Sequence, residues 1–439
     1  MARTSSLSEK PISYRPRKLT DWLNPNEEKK VHSLVDKVYK MSNLELAWKK
    51  VRSKQGSGGI DGVSLKEFEC DLRKNLERLQ EELRTQRYTP EPVRSHFIPK
   101  GGNTKEMRRL GIPTIYDRVC QQALLNRLEP IFESVFDDAS FGYRKGRSTK
   151  DAMRKIWKEL EQGYEWVVDA DLKDFFGMAD HTKIIELCRQ RISDGRVLTL
   201  LNDFIKAGYM QEGKKYETTR GVPQGGVISP LVSNILLTPF DKEMRRKGYR
   251  LTRFADDWLV TCRTRAEAQA ALAFAVKVLS KLGVVLNKEK TRIVHVKNGF
   301  EFLGYKVKRG SRPLKLSPHQ IKSGAKHGSL YVYPRQKSID HFKEQIRMRT
   351  RRCAPVTTEN LVAELNPVIR GWGNYYCKAH VRKLFNQLDR WIVRRLWSHK
   401  YKKWRCCGWK TLSADKLYGE LGLVNLVRLI PSLIRQKKS

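Results

Sequence analysis

Residues Arg253 to Val260 read RFADDWLV, and this stretch places two aspartates between two short apolar runs. The flanking runs have the composition of β-strands, so the stretch predicts a hairpin with Asp256 and Asp257 at its tip. A tight hairpin turn usually contains Asn-Gly or Asp-Gly, because its central residues need a positive φ. This tip has no glycine and carries two like charges. Two explanations are open: an Asx turn or helix cap, or a cation that cancels the repulsion.

A second group of acids lies upstream, in the stretch EWVVDADLKDFF at residues 165–176. The side chains of Asp169 and Asp171 share one side, because side chains alternate along a strand. Carboxylates at the end of an apolar strand are costly without partners. If this strand end lies beside the hairpin tip, three or four carboxylates converge, and they cannot all stay ionised unaided. A divalent cation resolves that conflict, and all-oxygen ligation suits magnesium.

The composition points to a polyanionic partner. The 439 residues contain 87 Lys and Arg against 47 Asp and Glu, a formal charge of +40, and nucleic acid is the usual partner of such a surplus. No apolar run approaches the length of a membrane span, so no membrane partner is expected. None of the eight cysteines forms a C-x-x-C pair, which favours a reducing compartment over a zinc site. We expect a cytoplasmic protein. A basic, Ser-rich N-terminus leaves an organellar location open.

The order of strand-like and helix-like segments predicts an α+β fold with a helical C-terminal region. Residues 1–65 form a basic extension with one or two helices, and residues 66–310 mix strands and helices. One of these helices, SPLVSNILLTPFDKEMRR, is expected to have Ser229 as N-cap and Pro230 at its first position. Residues 317–410 read as a separate basic helical domain, and residues 411–439 as a short basic tail that is a candidate residual DNA-binding segment.

The helical region concentrates positive charge. Between Lys378 and Lys410 there are 11 Lys or Arg residues and one acid, Asp389, with four tryptophans interleaved. A charge run is usually a solvated face, but this imbalance favours phosphate binding, with some tryptophans in the core. The polar face of the predicted helix carries the candidate RNA-binding residues Arg382, Lys383, Arg390, Arg394 and Arg395.

Several motifs occur in an order that resembles one family. VVDADLKDFFG, GVPQGGVISPLVSN, RFADDWLV, LGVVLNKEKT and FLGY are similar to the palm motifs of reverse transcriptases, and SFGYRKGRSTKDA with the preceding FIPKGG segment is similar to the fingers of the group II intron-encoded class. IRGWGNYY and the helix after it resemble that family's maturase, or thumb, domain. The resemblance implies a right-hand polymerase, with fingers and palm of antiparallel sheet and helices followed by an all-α thumb.

The resemblance assigns the acids. It implies that Asp171, rather than Asp169, is the first metal-binding aspartate, because Phe176 then falls at the aromatic steric gate; periodicity alone does not choose between the two. It places Asp171, Leu172, Asp256 and Asp257 around two Mg²⁺ ions, for which Mn²⁺ could substitute, with the three aspartates catalytic. Asp256 is the more certain ligand of its pair, because adjacent strand residues face opposite sides.

The resemblance also assigns five nucleotide-binding residues: Lys100, Arg108, Phe176, Gln224 and Lys290. Lys100 and Arg108 would clamp the triphosphate from the two arms of a hairpin, although both could be ordinary exposed charge. Phe176 would exclude a 2′-hydroxyl, although without the motif order a core aromatic is the better interpretation. Gln224, flanked by glycines, would lie against the templating pair. Lys290 would protonate the pyrophosphate, or is simply an exposed helix-end lysine.

The implied function is RNA-directed DNA polymerisation by a group II intron-encoded protein that also acts as a maturase for its intron. The implied partners are the intron RNA, an RNA template with a DNA primer, deoxynucleoside triphosphates and a DNA target, with a homodimer left open. Phe254 stands where the family commonly has Tyr, and Gly177 where it often has Asp. No paired Cys and His set of an HNH endonuclease follows Trp409. The alternatives are a host-adopted reverse transcriptase, for example in phage defence, a splicing-only maturase, and RNA-directed RNA synthesis.

Overall fold

The structure is a computed structural model, and it describes residues 30–100, 103–310, 329–403 and 410–431. The side chains of residues 100 and 103–106 lie outside that description, as do Trp404, Trp409 and the basic N-terminal stretch. The chain divides into two compact units. The first comprises the chain up to Ala152 with Asp171–Trp258 and Ala273–Asn287, and the second comprises Met153–Ala170, Leu259–Leu272 and the chain from Lys288.

A helical cluster opens the first unit. It contains α1 (Val35–Tyr39), α2 (Met41–Lys54), α3 (Leu65–Cys70), α4 (Leu72–Arg84) and α5 (Ile115–Glu133). Helix α5 begins where the Thr114 hydroxyl accepts the Asp117 amide proton, and most of its residues are buried. Asn43 of α2 donates to the carbonyls of Val38 and Ala123, so a buried amide ties three helices together. The charged helices α3 and α4 are separate elements that meet at Asp71.

A four-stranded sheet follows in the same unit, with the strand order β2-β1-β4-β5. Its strands are β1 (Val93–Lys100), β2 (Asn103–Ile112), β4 (Tyr209–Gln211) and β5 (Lys214–Tyr216). β1 and β2 form the antiparallel pair that the sequence predicts, with Ile98 opposite Arg108. β1 also pairs in parallel with β4, so this sheet carries the two arms of the predicted fingers hairpin.

The rest of the first unit is mainly helical. It contains α7 (Phe175–Met178), α8 (His181–Arg189), α9 (Gly195–Lys206) and α10 (Ser229–Arg246). The predicted N-cap of α10 is wrong: Ile228 occupies the cap, Ser229 is the first helical residue and Pro230 is the second. The Ser229 hydroxyl donates to the Pro223 carbonyl instead of accepting a backbone amide. A loop partner six residues upstream therefore competes successfully with the helix end.

The RFADDWLV stretch forms the predicted hairpin. β6 (Arg250–Phe254) ends one residue before Ala255, and β7 (Asp257–Cys262) begins directly after Asp256. In the second unit the end of β7 neighbours β3 (Trp166–Ala170), which pairs antiparallel with β8 (Arg292–His295). The helices α6 (Thr149–Glu161) and α11 (Arg265–Lys281) are each divided between the two units.

A second, three-stranded sheet belongs to the second unit, with the order β11-β10-β9. β9 (Phe300–Phe302) and β10 (Tyr305–Arg309) form a hairpin across Leu303 and Gly304, both at positive φ. β11 (Leu330–Pro334) pairs antiparallel with β10. The helical region expected from residue 317 thus includes a strand, because LYVYP alternates apolar and half-exposed residues and finds a partner in β10.

The helices that follow β11 in the described part of the second unit are α12 (Gln336–Arg349), α13 (Thr358–Tyr376), α14 (Arg382–Tyr401) and α15 (Ala414–Gly419), with a 3₁₀ turn at Val427–Leu429. Their shared core includes Phe342, Ile369 and Phe385. Within the part of the chain that the structure describes, every helix is too short or too polar to cross a lipid bilayer.

Candidate active site

The hairpin tip takes its positive φ at alanine. Ala255 has a φ of 59°, an uncommon value for a residue with a side chain, and the two aspartates after it do not need one. Asp256 is half-buried and Asp257 is exposed, as expected for consecutive residues that face opposite sides. The turn therefore forms without glycine, because the strained backbone conformation lies at Ala255 and not at Asp256 or Asp257.

Buried polar groups hold this tip from behind. Arg253 donates to both carboxylate oxygens of Asp241, at 2.7 and 2.5 Å, and both side chains are wholly buried. The same guanidinium donates to Asn234 Oδ1 at 3.0 Å and to the Ala255 carbonyl at 2.8 Å. The Asn234 amide in turn donates to the Gly142 carbonyl at 2.9 Å. Helix α10 therefore anchors the backbone on which Asp256 sits.

A strap of residues 139–144 covers the tip from another side. Arg253 exchanges backbone hydrogen bonds with Ala139 and Phe141, so the strap pairs with β6 like an added strand. A Cβ at Gly142 would collide with the backbone nitrogen of Ala255, so this position requires glycine. The strap is itself fixed by Arg144, which forms a salt bridge with Glu133.

Asp171 is positioned by its own backbone. Its carbonyl accepts the Asn287 amide at 2.8 Å, and Lys173 donates to the Val285 carbonyl at 2.8 Å, on either side of the bridge between Leu172 and Leu286. This pattern leaves the carbonyl of Leu172 outside the bridge's hydrogen bonds. Leucine has no ligating side chain, so that carbonyl is the one oxygen with which Leu172 could bind a metal.

Asp171 and Asp256 lie close enough to interact electrostatically. The pKa of the Asp256 carboxyl is raised, first by burial and then by the negative charge of Asp171, while Arg108 and Arg253 oppose the increase. Tyr143 is also within electrostatic reach of the hairpin tip. Burial and the charges of Asp256 and Asp257 raise the pKa of its phenol. The fold thus brings together two carboxylates that are 85 positions apart in the sequence (256 minus 171).

The candidate metal ligands at the hairpin tip are a pair of carboxylates, Asp171 and Asp256, and not a larger cluster. Among the residues that the structure describes, no group of three or more His, Cys, Asp or Glu side chains is placed to hold a metal ion. Magnesium, however, is commonly held through one or two carboxylates with substrate phosphates and water as its other ligands. Asp171, Asp256 and the Leu172 carbonyl are hard oxygen donors of that kind. They fit a divalent cation, and metal ligation by Asp257 stays a prediction.

Asp169 has a different partner. Its carboxylate forms an ion pair with Arg292 at 3.0 Å, in register across β3 and β8. This pair neutralises the charge that the sequence left unexplained. Asp169 thus has an arginine partner in the neighbouring strand, and the charge of Asp171 acts on the carboxyl of a second acid, Asp256.

Phe176 and the glycine-rich loop pack together. Phe176 is half-buried in α7, edge-to-face with Phe175, and its carbonyl accepts the Val222 amide at 2.6 Å. A Cβ at Gly221, whose φ is 91°, would lie 2.7 Å from the Gly177 carbonyl oxygen. The close approach of these two backbones requires glycine at residue 221.

Gln224 sits in the same loop and is tied to the fingers strand. Its carbonyl accepts the Gly111 amide at 2.6 Å, at the end of β2, and its side chain is half-buried. The far end of this loop is fixed by a residue that was not predicted from the sequence. Gln121, buried in α5, accepts the amides of Val227 and Ile228 at 2.7 and 3.3 Å. The available signal was the polar pair Gln121 and Gln122 between the apolar Cys120 and Ala123.

The remaining predicted nucleotide-binding residues are more dispersed. Lys100 is the last residue of β1, and its side chain lies outside the described residues. Arg108 is exposed on β2, and its charge influences both Asp256 and Tyr143. Lys290 is exposed in a turn before β8 and belongs to the second unit.

The basic helix α14 separates its charges by role. Arg382, Lys383, Arg390 and Arg394 are exposed. Arg395 is half-buried, and it donates to the hydroxyl and the carbonyl of Thr350 at 2.9 and 2.8 Å, so it closes the end of α12. Burial, with Arg347 and Arg352 nearby, lowers the pKa of Arg395.

The one acid of this stretch points inward. Asp389 is buried and accepts the amides of Leu426 and Val427 at 2.9 and 3.2 Å. Trp397 likewise donates to the Leu412 carbonyl. The outward face of α14 is therefore positive without an opposing acid from the helix itself, and the tryptophans that the structure describes there serve packing.

Two family models match the chain. One, described as reverse transcriptase (RNA-dependent DNA polymerase), matches residues 98–307, and the other, described as group II intron, maturase-specific domain, matches residues 339–416. Together they give a polymerase domain followed by a splicing-related domain. The chain belongs to the family of group II intron-encoded reverse transcriptases and maturases.

Individual relatives agree with this family. Protein YkfC of Escherichia coli K12 is 33% identical over 339 residues, which cover 68% of this chain and 88% of the relative. The group II intron-encoded protein LtrA of Lactococcus lactis subsp. cremoris is 30% identical over 393 residues, covering 72% and 65%. An uncharacterised 91 kDa protein in a cob intron of Schizosaccharomyces pombe is 25% identical over 422 residues, covering 80% and 51%. This chain thus spans about half to two-thirds of the length of the latter two.

A solved structure titled partial Cas6-RT-Cas1–Cas2 complex reaches a TM-score of 0.37 at 25% identity, over 57% of this chain and 41% of that one. This similarity is too low to carry an argument about the present chain.

Proposed function

We propose that this chain copies RNA into DNA and assists the splicing of the group II intron that encodes it. The observation that carries the proposal is the approach of Asp171 to Asp256 in a member of a reverse transcriptase family. Reverse transcriptases use divalent metal ions. We assign Mg²⁺ here, with Mn²⁺ as a substitute, because the donors are hard oxygens.

Asp171, Asp256 and the Leu172 carbonyl would hold the ions, and Asp257 would join them from the exposed side of the tip. Two divalent ions held there would supply Lewis-acid chemistry for a primer 3′-hydroxyl and for the leaving pyrophosphate. The chain's own contribution is to fix the carboxylates in position. The Arg253 network and the strap hold Asp256, and the bridge to residues 285–287 holds Asp171.

The substrate would lie between the fingers strands and the glycine-rich loop. Lys100 and Arg108 would bind the triphosphate, with Arg108 suited to bidentate phosphate contact. Phe176 would reject a ribose 2′-hydroxyl by bulk, and Gln224 would lie against the templating pair. We retain Lys290 as the proposed proton donor to pyrophosphate.

The second unit would supply the RNA-binding part of the maturase. Arg382, Lys383, Arg390 and Arg394 present charge on one helix surface, which suits recognition of folded RNA by its backbone. Arg395 would contribute mainly by holding α12 in place. Residues 66–310 would then be fingers and palm, residues 317–410 the thumb and maturase region, and the intron RNA, the primer–template and a DNA target the partners. Bacterial relatives support a cytoplasmic ribonucleoprotein.

Primer extension on an RNA template, with deoxynucleotides and Mg²⁺, tests the polymerase proposal. We expect synthesis by the wild type and none by Asp256→Ala, with RNA binding retained in the variant. Synthesis by Asp256→Ala would refute the metal assignment. Absence of synthesis by a well-folded wild type that still promotes splicing would favour a splicing-only maturase, against which the paired aspartates argue.

A further inference from the structure

The exposed face of the three-stranded sheet in the second unit has no role in the function proposed above. Along β10 and β11 the buried positions are Tyr305, Val307, Leu330 and Val332. The alternate positions face outward: Lys306 and Lys308 on β10, Tyr331 and Tyr333 on β11. Because the core is formed by the other face, these outward residues are not required to fill it.

Register places the tyrosines and lysines side by side. Lys306 is directly opposite Tyr333, and Lys308 is directly opposite Tyr331. The two tyrosine rings lie parallel within 10°, with centroids 5.9 Å apart, and Tyr333 is 39% exposed. Directly opposed residues of antiparallel strands share a face, so each ring has a cation beside it. Glu301, opposite Lys306 on β9, is the acid on this face within the described strands.

His380 extends the row of rings. Its backbone amide donates to the Val332 carbonyl at 2.8 Å, and the Val332 amide donates to its Nδ1 at 3.2 Å. The edge of β11 thus fixes the imidazole in place. Since Nδ1 accepts a hydrogen bond, the proton of the neutral ring resides on Nε2, which is a donor at an exposed residue. The His380 ring lies 5.3 Å from Tyr331 and 5.8 Å from Trp157, on which it stacks within 20°.

We propose that Tyr331, Tyr333, His380 and Trp157, with Lys306 and Lys308, form a binding site for unpaired nucleotides. Aromatic faces accept bases by stacking, and this is open to every base because each has a π-face. The lysines and the His380 Nε2–H would bind the flanking phosphates. A duplex keeps its bases inside, so this surface selects single strands.

The proposal rests on the proposed function only in expecting RNA as a partner. Nothing on this face reads a 2′-hydroxyl, so the shared chemistry is that of any single strand. The experiment therefore compares single-stranded RNA, single-stranded DNA of the same sequence and duplex RNA. The full chain carrying Asp256→Ala is used, so that the result does not depend on polymerisation.

Fluorescence anisotropy and photocrosslinking with a 5-iodouridine-labelled single strand provide the test. Alanine at Tyr331 and at Tyr333 should each weaken single-strand binding by about 5- to 150-fold, while phenylalanine at either position should retain it. Crosslinks should map to the peptides with Tyr331, Tyr333 or His380. Replacing both Lys306 and Lys308 by Gln should reduce the salt slope by about 1.4, at ~0.7 per contact for single strands.

Equal single-strand binding by the tyrosine-to-alanine variants, crosslinks confined to other peptides, or a loss of duplex RNA binding in these variants as large as the loss of single-strand binding would overturn the proposal. Binding of RNA alone, or of both single strands, supports it and identifies the source. If the alanine variants have a lowered unfolding temperature, the lysine-to-glutamine variants and the crosslink map decide. Failure of primer extension would leave these readouts unaffected, so the two proposals can fail separately.

Discussion

Arg253 and Asp241 form a wholly buried, bidentate ion pair, with donor–acceptor distances of 2.7 and 2.5 Å. The pair lies behind the hairpin tip, and Arg253 also donates to the carbonyl of Ala255, directly before Asp256. The pair therefore links the stability of the first unit to the position of a proposed metal ligand.

Removing one partner of this pair separates its two effects. Arg253→Met leaves the Asp241 charge buried and uncompensated, which should cost about 3–5 kcal/mol of unfolding free energy. Adding Asp241→Leu should recover much of that loss, because a buried pair can be replaced by apolar side chains. DNA synthesis should stay low in the double variant, since the Ala255 carbonyl has still lost its donor. Urea denaturation and primer extension measure the two quantities.

Arg246→Ala is the matched control, because its salt bridge with Glu243 lies on the surface of the same helix, α10. Its unfolding free energy and its activity should match those of the wild type. If the Arg253→Met and Asp241→Leu double variant regained full synthesis together with stability, the anchoring role would be wrong.

Substitutions of Asp171 and Asp169, the two acids near the end of β3, should have opposite effects on DNA synthesis. Asp171→Asn should abolish synthesis, because it removes a proposed metal ligand and the charge that Asp256 faces. Asp169→Asn should retain synthesis, because its ion pair with Arg292 is partly exposed and Asp169 is not a proposed metal ligand. Single-nucleotide incorporation by the two variants at equal concentration decides this point. Loss of synthesis in both, with folding intact, would contradict the division of roles.

This contrast also shows what the sequence could provide. The hairpin around Asp256 was predictable, since the flanking runs alternate and the strands are local. The partner of Asp169 was not, because Arg292 lies on a strand 123 residues away and nothing in the local pattern relates the two. The resemblance assigns Asp171 as the metal ligand, and this assignment stays a prediction, because from the residues alone the two acids were equivalent.

Side-chain direction was the other limit. The polar face of α14 was identified from its periodicity, but Arg394 and Arg395 were equivalent in the sequence. Only the position of α12 makes Arg395 a partner of Thr350. Likewise Ser229 had the chemistry of an N-cap, and the Pro223 carbonyl took its hydroxyl proton. Long-range partners settle such choices after local propensity has defined the helix.

Asp117 predicts a pH dependence of stability. Burial raises the pKa of its carboxyl to about 6, against the hydrogen bonds that it accepts from Tyr88 and the Glu91 amide. The pKa of an aspartate in the unfolded chain is about 3.9, so as the pH falls Asp117 takes up its proton at a higher pH in the folded protein than in the unfolded one. As the pH falls from about 7 to 4, the unfolding free energy of the wild type should therefore increase by ~2–3 kcal/mol relative to that of Asp117→Asn.

Urea denaturation of both proteins across this pH range measures the difference. Tyr88→Phe is an informative control, because the tyrosine hydroxyl lowers the pKa of Asp117. Its loss should move the pH window upward. A constant difference between wild type and Asp117→Asn at every pH would show that the carboxyl does not titrate in this range.

Substitutions of the neighbouring residues Arg394 and Arg395 in α14 should affect different properties, RNA binding and stability respectively. Arg394 is exposed, so Arg394→Glu should weaken binding of folded intron RNA and reduce its salt slope while the unfolding temperature is unchanged. Arg395→Ala removes the donor to a buried threonine, so it should lower the unfolding free energy by about 1–3 kcal/mol. Filter binding over a salt series and thermal unfolding of both variants separate the outcomes. If Arg394→Glu bound folded RNA with wild-type affinity and salt slope, the outer face of α14 would not be the RNA surface. A glutamate that contacts an RNA phosphate would repel it, so a substitution at a contacting position must weaken binding.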